Sequence, residues 1–168
     1  ALAVLPATPE LRDDVAEMGA DLDEMERMIA GYLAFARGDS GEVAQPTDMA
    51  MALEELRSDA ERHGHTATVA FHGLPVVTVK PASFKRCLAN LVSNAARHAN
   101  TISITGQRDH RYLNITIDDD GPGIPADMRE EVFKPFLRLD DARNQDEGGS
   151  GLGLAIARDI ARSHGGDI

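Results

Sequence analysis

Hydrophobic positions divide the chain into one long helical segment and a following region of short helices and strands. From Leu11 to Ala36 the apolar residues are spaced by four and three positions in alternation, which is the heptad pattern of a helix in a bundle. Further apolar residues at Met28, Leu33 and Phe35 widen this stripe beyond a two-stranded seam. We therefore predict a bundle-forming helix, although an ordinary amphipathic helix lying on the following domain would give a similar pattern.

The region after this helix predicts a mixed domain. Residues 38–47 (GDSGEVAQPT) lack periodicity and are rich in Gly, Ser and Pro, which is typical of a linker. Beyond them we predict helices over about 48–63, from 81 onward, near 126–133 and over 151–164. Strands are predicted over 66–71, 76–79, 101–105 and 113–117, the last two as a hairpin with one buried face. This order predicts an α+β fold, a two-layer α/β sandwich in which helices cover a mixed sheet.

Composition narrows the possible functions. The 168 residues are 42% hydrophobic and 27% charged, which suits one or two small domains with a buried core. A net charge of -11 argues against a nucleic-acid partner, because the phosphate backbone would be repelled. The single cysteine, Cys87, has the helical spacing of a core thiol relative to Phe84 and Leu88. No apolar run approaches the roughly 20 residues that span a bilayer, so we expect a soluble chain without direct membrane contact, in a reducing compartment.

Two asparagines on the helix that begins near Pro81 carry the first candidate chemistry. Asn90 and Asn94 are one turn apart, so their amides face the same side, and an amide oxygen is a hard ligand that suits Mg²⁺. Arg97, a turn further along, could neutralise phosphate charge. Taken alone, two asparagines on a helix are explained equally well by exposure to solvent.

The second candidate is the segment DDDGPG, which follows a predicted strand. If Ile115 and Ile117 point into the core, strand alternation turns Asp119 inward, and a buried carboxylate requires a hydrogen-bond donor. The amino group of adenine would be such a donor, and Gly121 and Gly123 leave room for the base. The alternative is an acidic surface turn, which Asp-Gly and Pro-Gly favour on their own.

The third candidate is the loop from Gly149 to Gly153 (GSGLG), which runs into the last helix. Its backbone N–H groups and the helix dipole can cradle phosphate oxygens. It is not a Walker loop, since no Gly-Lys-Ser/Thr follows, and it is not a Rossmann loop, since no strand precedes it directly. A glycine-rich loop is weak evidence alone and could simply be mobile. The three segments together outline a pocket for ATP and Mg²⁺.

Four motifs in this order resemble the nucleotide-binding boxes of bacterial sensor histidine kinases of two-component systems. NLVSNAARHA at 90–99 resembles the N box, and DDGPG at 119–123 resembles the G1 box. The phenylalanines of 133–136 together with Arg138 resemble the F box, and GSGLGL at 149–154 resembles the G2 box. The resemblance implies that residues 1–37 are part of the dimerisation and phosphotransfer hairpin, mainly its second helix. Residues 38–47 would then be the linker and 48–168 the catalytic ATP-binding domain, with its last strand incomplete.

The resemblance also implies a role for each motif residue. Asn94 would ligate Mg²⁺, Asn90 and Arg97 would contact the ion and the phosphates, and Asn90, Arg97 and Arg138 would serve catalysis. Asp119 would bind adenine. The other implied nucleotide-binding positions are His98, Gly121, Gly123, Phe133, Phe136, Gly149, Gly151, Leu152 and Gly153, with the two phenylalanines as anchors of the lid over ATP.

The activity implied by the resemblance is transfer of the γ-phosphoryl group of MgATP to a histidine on a helical bundle, and from there to a response regulator. A homodimer through the bundle helix and a place in the cytoplasmic portion of a membrane-anchored protein are implied as well. None of the six histidines lies in a His-Glu/Asp-x-x-x-Pro context, so we expect the phosphoacceptor outside this chain.

Other members of this ATPase group perform different reactions. Related hydrolytic ATPases carry glutamate where this chain has Asn90, and an amide cannot accept a proton at neutral pH, so hydrolysis is disfavoured. A serine kinase of the anti-sigma type and an ATP-binding pseudokinase scaffold remain the alternatives.

Overall fold

The computed structural model describes residues 18–19, 41–138 and 150–168. The chain divides into two compact units, residues 1–38 and 39–168, and nearly all described residues belong to the second. Met18 and Gly19 are helical. The rest of the segment predicted as a bundle helix lies outside the described residues, so its pairing stays a prediction.

The second unit is built from five described strands and three described α-helices. The strands are β1 (Gln45–Asp48), β2 (Thr66–His72), β3 (Val76–Val79), β4 (Thr101–Arg108) and β5 (Leu113–Asp119). The helices are α1 (Met49–Arg62), α2 (Pro81–His98) and α3 (Gly153–Ser163), and a short 3-10 helix covers Glu131–Phe133. None of the described helices is both long and apolar enough to cross a membrane.

The strands form two separate sheets. β2, β4 and β5 form a mixed sheet in that order, with β2 parallel to β4 and β4 antiparallel to β5. The register places Ile104 opposite Ile117, which confirms the predicted hairpin with one buried face. β1 and β3 form an antiparallel pair of their own. The predicted α+β fold with a mixed sheet is therefore confirmed.

The hydrophobic core lies between α1, α2 and the inner face of the mixed sheet. Leu53 on α1 and both Ile102 and Ile104 on β4 have no exposed surface. Gly106 of β4 is buried against Leu53, and a Cβ at this position would lie 2.9 Å from its Cδ1 atom. The remaining residues of the core cluster are Leu56, Ala60, Ala67, Leu88, Val92 and Ala95.

Two predictions from the sequence are wrong in detail. Residues 45–47, predicted as linker, belong to β1, because the pairing with β3 gives this short segment backbone partners that its composition does not reveal. The segment 126–133, predicted as a helix, is a series of turns that ends in the 3-10 helix. Val132 is the only buried residue of that 3-10 helix, which is too little apolar surface to hold a longer helix on the domain.

The start of a final strand was expected at residues 165–168, and none of these residues is in a strand. The Oδ1 atom of Asp167 instead accepts hydrogen bonds from Arg158 Nε at 2.9 Å and from Arg162 Nε at 3.1 Å. These two guanidinium groups hold the pKa of the Asp167 carboxyl well below its usual range.

Replacing Leu53 by Ala tests the position of the core. Because Leu53 is fully buried between α1 and the sheet, Leu53→Ala should lower the free energy of unfolding by about 2–5 kcal/mol. Met51, two residues earlier on α1, is 66% exposed, so Met51→Ala should change it by less than about 0.5 kcal/mol. Urea unfolding followed by circular dichroism measures both values, and equal losses would contradict this core.

Candidate functional site

α2 and α3 pack side by side in antiparallel directions, and their contact brings two of the three predicted segments together. In the middle of the pair, Cys87 Sγ donates a hydrogen bond to the carbonyl oxygen of Ala157 at 3.3 Å. Burial raises the pKa of the Cys87 thiol to about 11, so the thiol is protonated at neutral pH and is a core group as predicted. Near the start of α3, a Cβ at Gly153 would lie 3.9 Å from Asn90 Oδ1.

Asn90 is half-buried, and its side chain is poised to bind a polar group. Its Nδ2 atom is buried and makes no hydrogen bond within the described part of the chain. Leaving such a donor without an acceptor costs about 1–3 kcal/mol, so the position favours a ligand that supplies an oxygen. The first turn of α3 lies beside it, and the free N–H groups at a helix start attract anions. Together these features fit a phosphate oxygen.

The other predicted residues of α2 follow Asn90 along the same helix. Asn94 is half-buried one turn further on, on the same side as Asn90 because of the helical repeat. Arg97 and His98 are exposed in the last turn of α2. The helix therefore presents two half-buried amides, followed by the exposed Arg97 and His98 in its last turn.

Asp119 is exposed, so the prediction of a buried carboxylate is wrong. Strand alternation was followed, since the register pairs Asp119 with the buried Ile102. Asp119 is, however, the last residue of β5, and the strand ends before its side chain can be enclosed. Its Oδ1 atom accepts the N–H of Gly121 at 2.9 Å, which orients the carboxylate at the surface.

The glycine turn after β5 lies against the C-terminal end of α2. A Cβ at Gly121 would be 2.7 Å from Asp119 Oδ1 and 2.8 Å from the carbonyl oxygen of His98. Only glycine fits without moving one of these groups. Gly123 adopts φ +73° in open space and is exposed. The second predicted segment is therefore brought to the helix that carries the asparagines.

Asp120 anchors this turn, which sequence reasoning missed. Its Oδ1 atom accepts the backbone N–H groups of Asn100 and Thr101, both at 2.9 Å. Hydrogen bonds from Thr101 and then from Asn100 lower the pKa of the Asp120 carboxyl, so it stays ionised. The sequence Asp118–Asp120 gives no sign that Asp120 binds the backbone while Asp119 faces solvent.

The phenylalanine segment is joined to the glycine loop before α3. The N–H of Phe136 donates to the carbonyl oxygen of Gly151 at 2.9 Å, and both residues have φ +66°. A Cβ at Gly151 would lie 2.8 Å from two backbone atoms of Phe136. The Phe136 ring is 53% exposed. The backbones of Phe136 and Gly151 are thus held against each other.

Phe133 is fixed to α3 by Arg158, a contact that the sequence did not reveal. The Arg158 guanidinium carbon lies 4.4 Å from the centre of the Phe133 ring. The same guanidinium bonds Glu130 Oε2 and Asp167 Oδ1, each at 2.9 Å. Stacking over the ring and bonding both acids hold the phenylalanine segment in place.

Three predicted positions remain, and two of them lie among the described residues. Leu152 is buried directly before α3, and Arg138 is exposed at the end of the phenylalanine segment. Gly149 lies outside the described residues. In the described ranges no group of three His, Cys, Asp or Glu residues could hold a metal ion.

Comparison with known proteins identifies the class to which this fold and site belong. Residues 79–168 match the model of the histidine kinase-, DNA gyrase B- and HSP90-like ATPase family. This match covers more than half of the chain, so the chain belongs to this family, and its described fold is that of an ATP-binding domain.

The relatives of the chain are sensor histidine kinases. Sensor histidine kinase GtrS of Pseudomonas aeruginosa is 33% identical over 153 residues, which are 90% of this chain and 31% of that protein. Sensor histidine kinase CpxA of Escherichia coli is 39% identical over 116 residues, 68% of this chain and 25% of that protein. The chain thus spans about a third or less of these curated relatives.

Solved structures agree with this assignment. The ATP binding domain of PrrB from Mycobacterium tuberculosis aligns with a TM-score of 0.61 and 25% identity, over 74% of this chain and 83% of that one. The resemblance to sensor histidine kinases drawn from the four motifs is confirmed, as is the fold of their catalytic domain.

A pair of glycine substitutions tests the contact between Gly151 and the backbone of Phe136. Gly123→Ala and Gly151→Ala both place a side chain at positive φ, which costs about 1–2 kcal/mol. At Gly151 the new Cβ also meets the backbone of Phe136, whereas at Gly123 it meets open space. Thermal unfolding should therefore show a larger loss of stability for Gly151→Ala. A loss equal to that of Gly123→Ala would contradict the contact with Phe136.

Proposed function

We propose that this chain is the catalytic, ATP-binding part of a protein histidine kinase of a two-component system. It binds MgATP and transfers the γ-phosphoryl group to a histidine on a helical bundle. The observation that carries the proposal is the buried Nδ2 atom of Asn90, which lies beside Gly153 at the start of α3 and has no hydrogen-bond partner among the described residues. Membership of the ATPase family and relatives named as sensor histidine kinases support it.

Asn90 and the first turn of α3 would bind the phosphates of ATP. Asn94, with Asn90, would ligate Mg²⁺ through amide oxygens, because this ion takes few protein ligands and completes its shell with phosphates and water. Arg97 and Arg138, both exposed, would neutralise phosphate charge. The bound ion would add charge neutralisation to that of the two guanidinium groups.

Asp119 and the glycines after it would bind the adenine base. The carboxylate is exposed at the end of β5 and oriented by the N–H of Gly121, so it can accept a hydrogen bond from the amino group of the base. Gly121 and Gly123 keep side chains away from the ring. His98, exposed at the end of α2, would border the nucleotide, and the contact between Phe136 and Gly151 would support the lid.

Transfer itself would depend on positioning. Phosphoryl transfer needs little covalent chemistry from the protein, and catalysis comes mainly from alignment and from neutralising charge on the phosphates. A nitrogen of the acceptor imidazole attacks the γ-phosphorus while the bond between the γ-phosphorus and the oxygen bridging to the β-phosphate breaks. The products are phosphohistidine and ADP. The phosphoryl group would then pass to a response regulator. A homodimer through the heptad segment and a membrane-anchored whole protein are part of this proposal.

Three other functions are less well supported. The ATPase family also contains hydrolytic members, and Asn90 cannot act as a general base for water as a carboxylate can. A serine kinase of the anti-sigma type would share the pocket, but the relatives are named sensor histidine kinases. A pseudokinase would bind ATP without transfer, which the second experiment below distinguishes.

Titration with a nonhydrolysable ATP analogue, with and without Mg²⁺, tests the metal role of Asn94. Asn94→Ala should weaken binding about tenfold or more in the presence of Mg²⁺ and change it little in its absence, because only the ion's ligand is removed. Asn114→Ala, an exposed asparagine on β5, is the matched control and should bind as the unaltered chain does. An Asn94→Ala chain with full Mg²⁺-dependent affinity would exclude the assigned ligand.

Incubation with radiolabelled ATP and an added bundle domain that carries the phosphoacceptor histidine tests transfer. We expect an acid-labile label on that domain, and no label when its histidine is replaced by glutamine. Arg97→Ala should slow labelling by about 10²-fold, in line with the loss of one charged group that stabilises the transition state. Binding of ATP without any labelling would favour the pseudokinase.

A further inference from the structure

The N-terminus of α2 is capped by a side chain from outside the helix. The first N–H groups of a helix have no partner within it and must be satisfied elsewhere. Glu42 Oε1 accepts the N–H of Ala82 at 2.7 Å, and Glu42 Oε2 accepts the N–H of Ser83 at 3.0 Å. The hydroxyl of Ser83 also donates to Glu42 Oε2 at 2.8 Å. One carboxylate, 40 residues away in sequence from Ala82, thus holds the first turn of α2.

The side chain of His164, which directly follows α3, completes this cap. The N–H of Lys80, the residue before α2, donates to Nε2 of His164 at 3.2 Å. Pro81 has no N–H, and the N–H of Phe84 already bonds within the helix to the carbonyl oxygen of Lys80. His164 Nδ1 lies 2.8 Å from the carbonyl oxygen of Ile160, so Nδ1 carries the proton and Nε2 is the acceptor.

Hydrogen bonds therefore hold α2 and α3 together at the capped end and at Cys87. The helices meet at Lys80 with His164 and at Cys87 with Ala157, and further along Gly153 lies beside Asn90. The last of these places is the candidate phosphate site. Asn90 lies roughly 15 Å along the helix from Lys80, so a tilt at the capped end changes the separation of the helices at Asn90.

We propose that Glu42 is a positioning residue for nucleotide binding. It acts through α2, whose first turn it holds in the place that sets Asn90 against the start of α3. The inference rests on the proposed function, because it takes Asn90 and the first turn of α3 as the phosphate site. Glu42 lies four residues after the boundary between the two compact units. A displacement of Glu42 would therefore move the first turn of α2, to which it is hydrogen-bonded.

A matched control for Glu42 exists in the β4–β5 turn. There Asp109 Oδ1 accepts the N–H groups of Arg111 and Tyr112, both at 2.7 Å. This is again one exposed carboxylate that satisfies two backbone N–H groups. The turn is at the opposite end of the hairpin from Asp119, so Asp109→Ala should lower stability without affecting the nucleotide site.

The experiment is titration of the whole chain with AMPPNP and Mg²⁺ at a temperature well below the melting point of each variant, together with thermal unfolding. Glu42→Ala should raise the dissociation constant roughly fivefold or more, as expected for coupling between linked sites. Glu42→Gln retains one acceptor oxygen and should give an intermediate value. Asp109→Ala should lower the melting temperature and leave the dissociation constant unchanged.

The inference is overturned if Glu42→Ala lowers the melting temperature as Asp109→Ala does and binds AMPPNP as the unaltered chain does. If Glu42→Ala does not fold, Glu42→Gln and His164→Ala take its place. Unaltered affinity for AMPPNP in both variants would likewise overturn the inference. Failure of the unaltered chain to bind AMPPNP would instead remove the proposed function and this inference with it, and the first titration separates that outcome from the others.

Discussion

The antiparallel packing of α2 against α3 is the contact on which the candidate site depends. It places Asn90, in the middle of one helix, beside Gly153, at the start of the other, although the two are far apart in sequence. The small residues Cys87 and Ala157 are buried where the helices meet, and Gly153 puts no side chain beside the amide of Asn90. A larger side chain at Cys87 or Ala157 would push the helices apart, and with them Asn90 and the start of α3.

The second half of the site is built where β5 ends against the last turn of α2. Asp120 ties the turn to the start of β4 through the N–H groups of Asn100 and Thr101. Gly121 allows the turn to approach the carbonyl oxygen of His98. The exposed Asp119 therefore has a fixed position relative to the asparagines of α2. Under the proposed function, α2 would carry groups for the phosphates and hold the turn that carries the adenine candidate Asp119.

Charge imposes a further constraint on this site. A chain of net charge -11 repels a triphosphate, so the pocket cannot depend on the overall field of the protein. Under the proposed function, the groups that α2 and α3 would present to the phosphates are neutral amides, helix N–H groups and the exposed Arg97. A divalent cation would supply the remaining neutralisation. An amide at position 90 also fits this requirement better than a carboxylate would, because it adds no negative charge beside the phosphates.

The sequence by itself determined the helices α1, α2 and α3, the strands from β2 to β5, and the four motifs with their order. These depend on local periodicity and on residues close together in the chain. Tertiary structure decided that 45–47 pair as a strand, that Asp120 rather than Asp119 is held by the backbone, and that Glu42 and His164 cap α2. Those choices depend on partners up to 84 residues apart, and no local pattern encodes which distant N–H group a given side chain will meet.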